Sequence, residues 1–282
     1  MLLFNNSLRI AFLILMGACT WTNTACGEGL PSQGEAAFTH PLAATIQYAE
    51  DRQKYIKDHI RSYHCQLVKR ERIGGRLQAY QYADVKVRCG FKEAGEKQIP
   101  MSVLMKFLGP EKLKGRIVLF TEGENDGRAL VRMGGSGLFK SVELEVDPSG
   151  ETAKRESRYP ITEIGFDRIM QRLIDLAKKD VNADPAAANT VVNYFQNAKL
   201  KDRACTHIQV VHPDKSEKFT FHSASLYVDD ELNVPVRLVV FDWPPSDGGT
   251  PRLLEEYNYM NLEINVSLGQ DLFNKTRYFN DK

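Results

Sequence analysis

Two series of short segments in which apolar and polar residues alternate, joined by turns too short for a crossover, constrain this chain more than any other feature. The first series reads "YHCQLVKRERI", "QAYQYADVKVRCG", "IPMSVLMKFLG", "GRIVLFTEG", "GRALVRMGG" and "KSVELEVDP". The turns between them are "GGR", "GPEKLKG", "EGENDG" and "MGGSG", and Asp147-Pro148-Ser149-Gly150 stops the last. A period of two marks strands, and parallel pairing needs a connection of about a dozen residues or more. Links of hairpin length therefore predict an antiparallel meander. A second series follows, around residues 190–200, 203–212, 218–229 and 234–243, and closes on "LLEEYNYMNLEINV"; "LGQDLFNKTRYFNDK" reads as a tail.

Two stretches carry the helical period instead. After Pro41, Leu42, Ile46, Ala49, Ile56 and Ile60 share one face, with Glu50, Asp51, Lys54 and Lys57 opposite. In "YPITEIGFDRIMQRLIDLAKKD" an apolar stripe runs through Ile164, Ile169, Met170, Leu173, Leu176 and Ala177. Lys178 and Lys179 sit in the last turn, where cations suit the helix dipole. "VNADPAAAN" then links to the second strand series. Helices that interrupt strands, rather than alternate with them, exclude a βαβ plan. The expected fold is α+β, a long curved antiparallel sheet of about ten or eleven strands with an N-terminal helix and an inserted helix lidding one face.

The N-terminus is of another kind. Residues 1–27 hold one cation, Arg9, no acid, and the apolar run "IAFLILM", which is too short for a permanent membrane span. This is an export signal with two readings of its processing. "LMGAC" resembles a lipobox that would lipidate Cys19, tethering the chain to a membrane; ordinary cleavage near "TACG", residues 24–27, is the other. Residues 28–40 read as a flexible leader and 41–282 as one domain. The expected location is the periplasm or an envelope-attached position, as a monomer. Lys+Arg 37 against Asp+Glu 36 leaves a net charge of +1, which gives no basis for nucleic-acid binding.

Export makes a disulfide plausible among Cys65, Cys89 and Cys205. Pairing about Gly74-Gly75 puts residue 65 opposite roughly residue 85 and so misses Cys89. Cys65–Cys205 is the disulfide candidate; the other reading keeps all three as small buried thiols.

The segments "SYHCQLVKRERIGGRLQAYQYADVKVR", "VLMKFLGPEKLKGRIVLFTEGENDGRALV" and "RYPITEIGFDRIMQRLI" resemble a family of exported bacterial proteins, domain of unknown function fifteen-seventy-one. The resemblance continues through "ACTHIQVVHP" and "LYVDDELNVPVRLVVFDWP", covering roughly residues 45–275. More distantly, the order of helix, meander, inserted helix and late "PVR…D" strand is similar to that of the Lol-type lipoprotein carriers. That likeness implies an incomplete barrel with helices lidding an apolar hollow that takes acyl chains. Arg237 is only a positional match to the arginine those carriers use.

Val234, Val236, Leu238 and Val240 share one apolar face, and Met101, Val103, Met105 and Phe107 form a Met-rich one. The candidate cavity wall is Met101, Val103, Met105, Ile117, Leu119, Val236, Leu238 and Val240, covered by Ile169, Met170 and Leu173. The run "KRERIGGR", residues 69–76, reads most simply as a solvated hairpin tip; the alternative, contact with anionic headgroups, is weakened by its alternating signs. Asp242 beside Trp243 lacks a partner carboxylate for acid–base work and reads as a turn cap. Cys205 and His207 share a strand face, but no CxxC, HxxxH, GxSxG, HExxH or phosphate loop is present. No cofactor and no metal are expected. The expected function is non-enzymatic binding of a lipid or acyl-bearing ligand, with an envelope protein as a further partner. The alternative is a structural or interaction domain with a filled core; an exported hydrolase or metalloenzyme using Cys205, His207 or Asp242 is a third reading.

Overall fold

The computed structural model describes residues 39–92, 97–136 and 140–279. The expected export signal, the lipidation candidate Cys19 and the expected leader up to residue 38 lie outside the described residues. Helix α1 spans Leu42–His59 and buries Leu42, Ala49 and Ile56, as its period requires. The first strand series gives β1 (Ser62–Ile73), β2 (Arg76–Leu77), β3 (Gln81–Arg88), β4 (Phe91–Lys92), β5 (Gln98–Ile99), β6 (Ser102–Gly109), β7 (Ile117–Thr121), β8 (Ala129–Arg132) and β9 (Glu143–Val146). A short helix α2 (Glu151–Lys154) and the long α3 (Phe166–Ala183) follow. The second series is β10 (Val191–Leu200), β11 (Arg203–Val211), β12 (Ser223–Asp229), β13 (Pro235–Asp242) and β14 (Arg252–Ile264).

Eleven of these strands lie side by side in the order β10-β11-β12-β13-β14-β1-β3-β6-β7-β8-β9, with β2 pairing β1 as the twelfth; β4 and β5 form a separate ribbon. Every neighbouring pair on this path is antiparallel. The two meanders join where β14 pairs β1. Among the described residues β9 and β10 do not pair, so the barrel stays open. The β1–β3 register is the one the Gly74-Gly75 turn dictates, with Cys65 opposite Val85. Both glycines have positive φ, at 55° and 79°, a conformation that suits the twist of a tight hairpin and that only glycine adopts freely.

Strand parity separates two faces. Tyr63, Cys65, Leu67, Val85, Val87, Val103, Met105 and Phe120 point to the inner face, where α1 and α3 complete the core. Tyr63 stacks on Phe166 at 4.3 Å between ring centroids, and Phe166 meets Tyr259 edge-on at 5.1 Å. Such aromatic pairs add about 0.5–1.5 kcal/mol each beyond their buried area. Tyr63 also donates its hydroxyl to the Ile164 carbonyl at 2.9 Å, fixing the approach to α3.

The outer face is covered too, and this corrects the cavity wall expected on β7. Ile117 and Leu119 pack with Leu104 and Leu130 against Phe273, Tyr278 and Phe279. The C-terminal segment read as a tail is thus a second cover, and Arg132 secures it by donating to the Tyr278 carbonyl at 2.9 Å. With both faces of β7 buried, both are apolar, and alternation alone does not say which one looks inward.

A second correction concerns the cysteines. Cys65, Cys89 and Cys205 are all free. Cys65 on β1 and Cys205 on β11 are four strand places apart, about 19 Å along the sheet at ordinary spacing, far beyond the reach of a disulfide. Burial pushes the thiols of Cys65 and Cys89 up to about 12.

Beside α1, the cover of the inner face is one continuous stretch, residues 147–190, that leaves one sheet edge at β9 and reaches the other at β10. Its far end is fixed by a buried pair: Asp180 of α3 accepts from His212 Nε2 at 3.2 Å, while His212 Nδ1 lies 2.9 Å from the Asn189 carbonyl.

Candidate functional site

Beneath that cover lies a cavity of about 260 Å³. Its wall is drawn from β1, β3, β6, β7, β8, β9, β13 and β14, and its roof from residues 148–172. Leu238 on β13 and Leu144 on β9 both border it, although their strands are seven places apart. A flat sheet would separate them by roughly 34 Å, so only strong curvature lets them share one hollow. The volume falls just below the range of about 300–1,000 Å³ usual for small-molecule pockets. The mouth lies beside β9 and α2, where Leu144 lines the hollow and is exposed.

The deep wall is apolar: Leu67, Met105, Phe107, Val118, Ala129 and Ile169 line it. Of the wall expected from sequence, Met105, Ile169 and Leu238 border this cavity. Met101, Val103, Met170 and Val236 are buried in the adjoining core. Leu173 and Leu238 border a smaller hollow of about 70 Å³ between α1, α3 and β11–β13, and Val240 packs beside Phe221 and Leu238. Ile117 and Leu119 lie on the far side of the sheet; Val118 takes their place inside.

The inner face of β1 changes character along its length. After Tyr63, Cys65 and Leu67 the same parity brings Lys69 and Glu71, which are buried, with the Glu71 side chain only 2% exposed. This corrects the reading of residues 69–76 as a solvated hairpin tip: its inward half is the polar end of the hollow. Lys69 Nζ donates to Glu71 Oε2 at 2.8 Å and to Ser157 Oγ at 2.9 Å. Glu71 Oε1 also accepts from the Tyr257 hydroxyl and from the Arg158 amide at 3.2 Å. Beside it, Glu255 accepts from Arg158 Nε at 2.6 Å and from the Tyr159 hydroxyl at 2.8 Å. Arg172 lies over the Tyr159 ring at 3.5 Å and pairs with Glu163 at 3.1 Å. Burial works to raise the Glu71 pKa, but Lys69 and the donated hydrogen bonds outweigh it and hold the carboxyl below its ordinary value. Burial and the neighbouring Glu71 and Glu255 carboxylates push the Tyr257 hydroxyl well above the usual phenol range. The network ties residues 157–159 to β1 and β14 and keeps the roof over the hollow.

The other residues weighed from sequence lie elsewhere. Asp242 accepts from the Trp243 amide at 2.9 Å and pairs with Arg252. His207 is stacked between Phe195 and Tyr227, at 4.5 and 4.1 Å. Arg237 borders the hollow, but its guanidinium turns to Glu256 at 2.9 Å and Asn258 at 2.9 Å. Among the described residues no three His, Cys, Asp or Glu side chains gather as metal ligands.

An open antiparallel half-barrel around a lidded, largely apolar hollow is the class that fold and site define. The chain belongs to the family described as "Protein of unknown function (DUF1571)", whose model matches residues 60–278. No curated protein matches it. Among solved structures it is similar to a DUF1329 family protein from Desulfovibrio piger, at 14% identity, covering 85% of this chain and 99% of that one, with a TM-score of 0.39. It is similar to a LolA superfamily protein from Nitrosomonas europaea at 10% identity, covering 82% and 98%, with a TM-score of 0.34. The lipoprotein LppX of Mycobacterium tuberculosis aligns at 10% identity over 80% and 98%, with a TM-score of 0.38.

Proposed function

We propose that this is an exported envelope protein that holds a lipid or acyl group in the half-barrel hollow and performs no chemistry on it. The observation that carries the reading is the cavity of about 260 Å³, apolar in its depth and polar toward Lys69 and residues 156–163. A site that is apolar at one end and hydrogen-bonding at the other suits an amphiphile, because each part of such a ligand meets its own kind of surface. A filled interior would have left no such space, which disfavours a purely structural domain. The N-terminal "IAFLILM" run supports export, and no described helix is long and apolar enough to cross a membrane. Lipidation at Cys19 would add a tether to a membrane, the source of such a ligand.

The test is native mass spectrometry after gentle purification, together with uptake of a fluorescent fatty acid. Co-purified lipid that is lost on denaturation, and saturable uptake, are the expected results. Protein that is repeatedly free of lipid and takes up no fatty acid refutes the reading.

A further inference from the structure

Three cations present their side chains to the inner face around the hollow: Lys69, Arg116 and Arg172. Lys69 is held by Glu71 and Ser157, Arg172 by Glu163 and the Tyr159 ring, and Arg116 by Glu156 and, at 5.9 Å, the Phe107 ring. Arg116 differs. Its side chain is 12% exposed, and its NH1 donates to Glu156 Oε2 at 3.1 Å. Its Nε is buried with no hydrogen-bond partner. A guanidinium presents five donors in a planar fork, and an unpaired buried donor is costly. The one carboxylate it meets is 57% exposed, so solvent screens that pair.

The backbone under Arg116 is held by a close approach. A Cβ on Gly134 would stand 2.2 Å from the Arg116 amide nitrogen, and one on Gly135 would stand 2.6 Å from the Lys112 carbonyl oxygen. Gly134 and Gly135, which follow β8, therefore have to be glycine for the chain to lie against residues 112–116 ahead of β7. Arg116 shares the inward parity of Val118. Glu156, its partner, belongs to the roof segment that also lines the hollow, and Leu144 marks the mouth nearby.

We propose that Arg116 is the headgroup anchor, and that the ligand is an amphiphile with an anionic oxygen head, a carboxylate or a phosphate, bound by the guanidinium donors that Glu156 does not take. This rests on the hollow's being the lipid site. The head would sit near the mouth, beside Glu156, with the chain running inward past Val118 and Met105 toward Ile169. Glu156 takes only NH1, so its contact persists while the remaining donors of the fork serve the head, although its charge opposes the incoming anion.

Dodecanoate, dodecyl phosphate and dodecanol share one chain and differ only in the head. Affinities of the full exported chain for the three are measured by displacement of a fluorescent probe. The two anions are expected to bind about tenfold or more tighter than dodecanol, the scale of a charge-assisted bidentate contact. Their order tells a fatty-acid source from a phospholipid one. Arg116→Gln is expected to remove that preference ratio. Glu156→Gln, at an exposed position that folding does not depend on, is expected to raise it severalfold by deleting the opposing charge. Equal affinity for dodecanol and dodecanoate overturns the headgroup assignment while leaving the hollow intact, as does an unchanged ratio in Glu156→Gln or in folded Arg116→Gln. Binding of none of the three overturns the hollow reading itself.

Discussion

Replacing Glu71 with leucine tests whether the polar end of β1 is truly interior. The change removes the carboxylate that receives Lys69, the Tyr257 hydroxyl and the Arg158 amide, and leaves the Lys69 ammonium with Ser157 alone. Glu71 and Lys69 side chains are 2% and 10% exposed, so solvent compensates little. Breaking a buried pair by removing one partner costs about 3–5 kcal/mol. For a domain of this size that is roughly 2–4 °C of melting temperature per kcal/mol, hence a fall of about 6–20 °C. Urea denaturation followed by Trp243 fluorescence measures it. The double variant Lys69→Met with Glu71→Leu removes the stranded charge and should recover most of the loss. The pH dependence has a fixed sign. The Glu71 pKa is lower folded than unfolded, so its contribution is full above the unfolded value near 4.5 and is lost as pH falls through the lower folded value. Near-neutral pH should therefore show the whole effect, and strongly acidic pH should shrink the gap between wild type and variant. A loss below about 1 kcal/mol at pH 7 would mean the hairpin is solvated after all, and the account of the roof's anchorage would be wrong.

Ala153→Trp in the roof should place an indole in the hollow, changing stability by less than about 1 kcal/mol but reducing fatty-acid uptake tenfold or more; unaltered uptake would move the site elsewhere. Within a series of linear fatty acids each added methylene should contribute about 0.8 kcal/mol, about fourfold in affinity, until the cavity is full; a flat series argues against an apolar chain site. The Cys65 and Cys89 thiols, pushed up to about 12 by burial, should resist iodoacetamide at pH 8 in the native state and react after denaturation. Intact mass should at the same time find Cys65, Cys89 and Cys205 reduced, and a mass two units lower would restore the disulfide.

The two long helices and the eleven principal strands were legible because their periods are sustained and their turns carry glycine and proline. Even the 65–85 register followed from Gly74-Gly75. What stayed hidden depends on distant partners. Lys69 and Glu71 look solvated in a run of alternating charge; their burial is decided by Ser157, Arg158 and Tyr257, some 86 to 186 residues away. Ile117 and Val118 are equally apolar, and the side that faces the hollow was settled by Phe273 and Tyr278, which no local pattern joins to β7. A hollow and a filled core use the same residue types, so apolar parity found Met105, Ile169 and Leu238 but could not tell wall from filling. Arg116 could have been noticed as a lone cation on the inward parity of an otherwise apolar strand.

The roof, residues 147–190, leaves the sheet at its β9 edge, is tied across the middle strands β1 and β14 by Glu71 and Glu255, and is fixed near the β10 edge by Asp180 and His212. A flap hinged on one side swings clear by itself; a bridge spanning two banks moves only when a bank moves. Access to the interior is therefore coupled both to the gap between β9 and β10 and to the middle of the sheet beneath the roof.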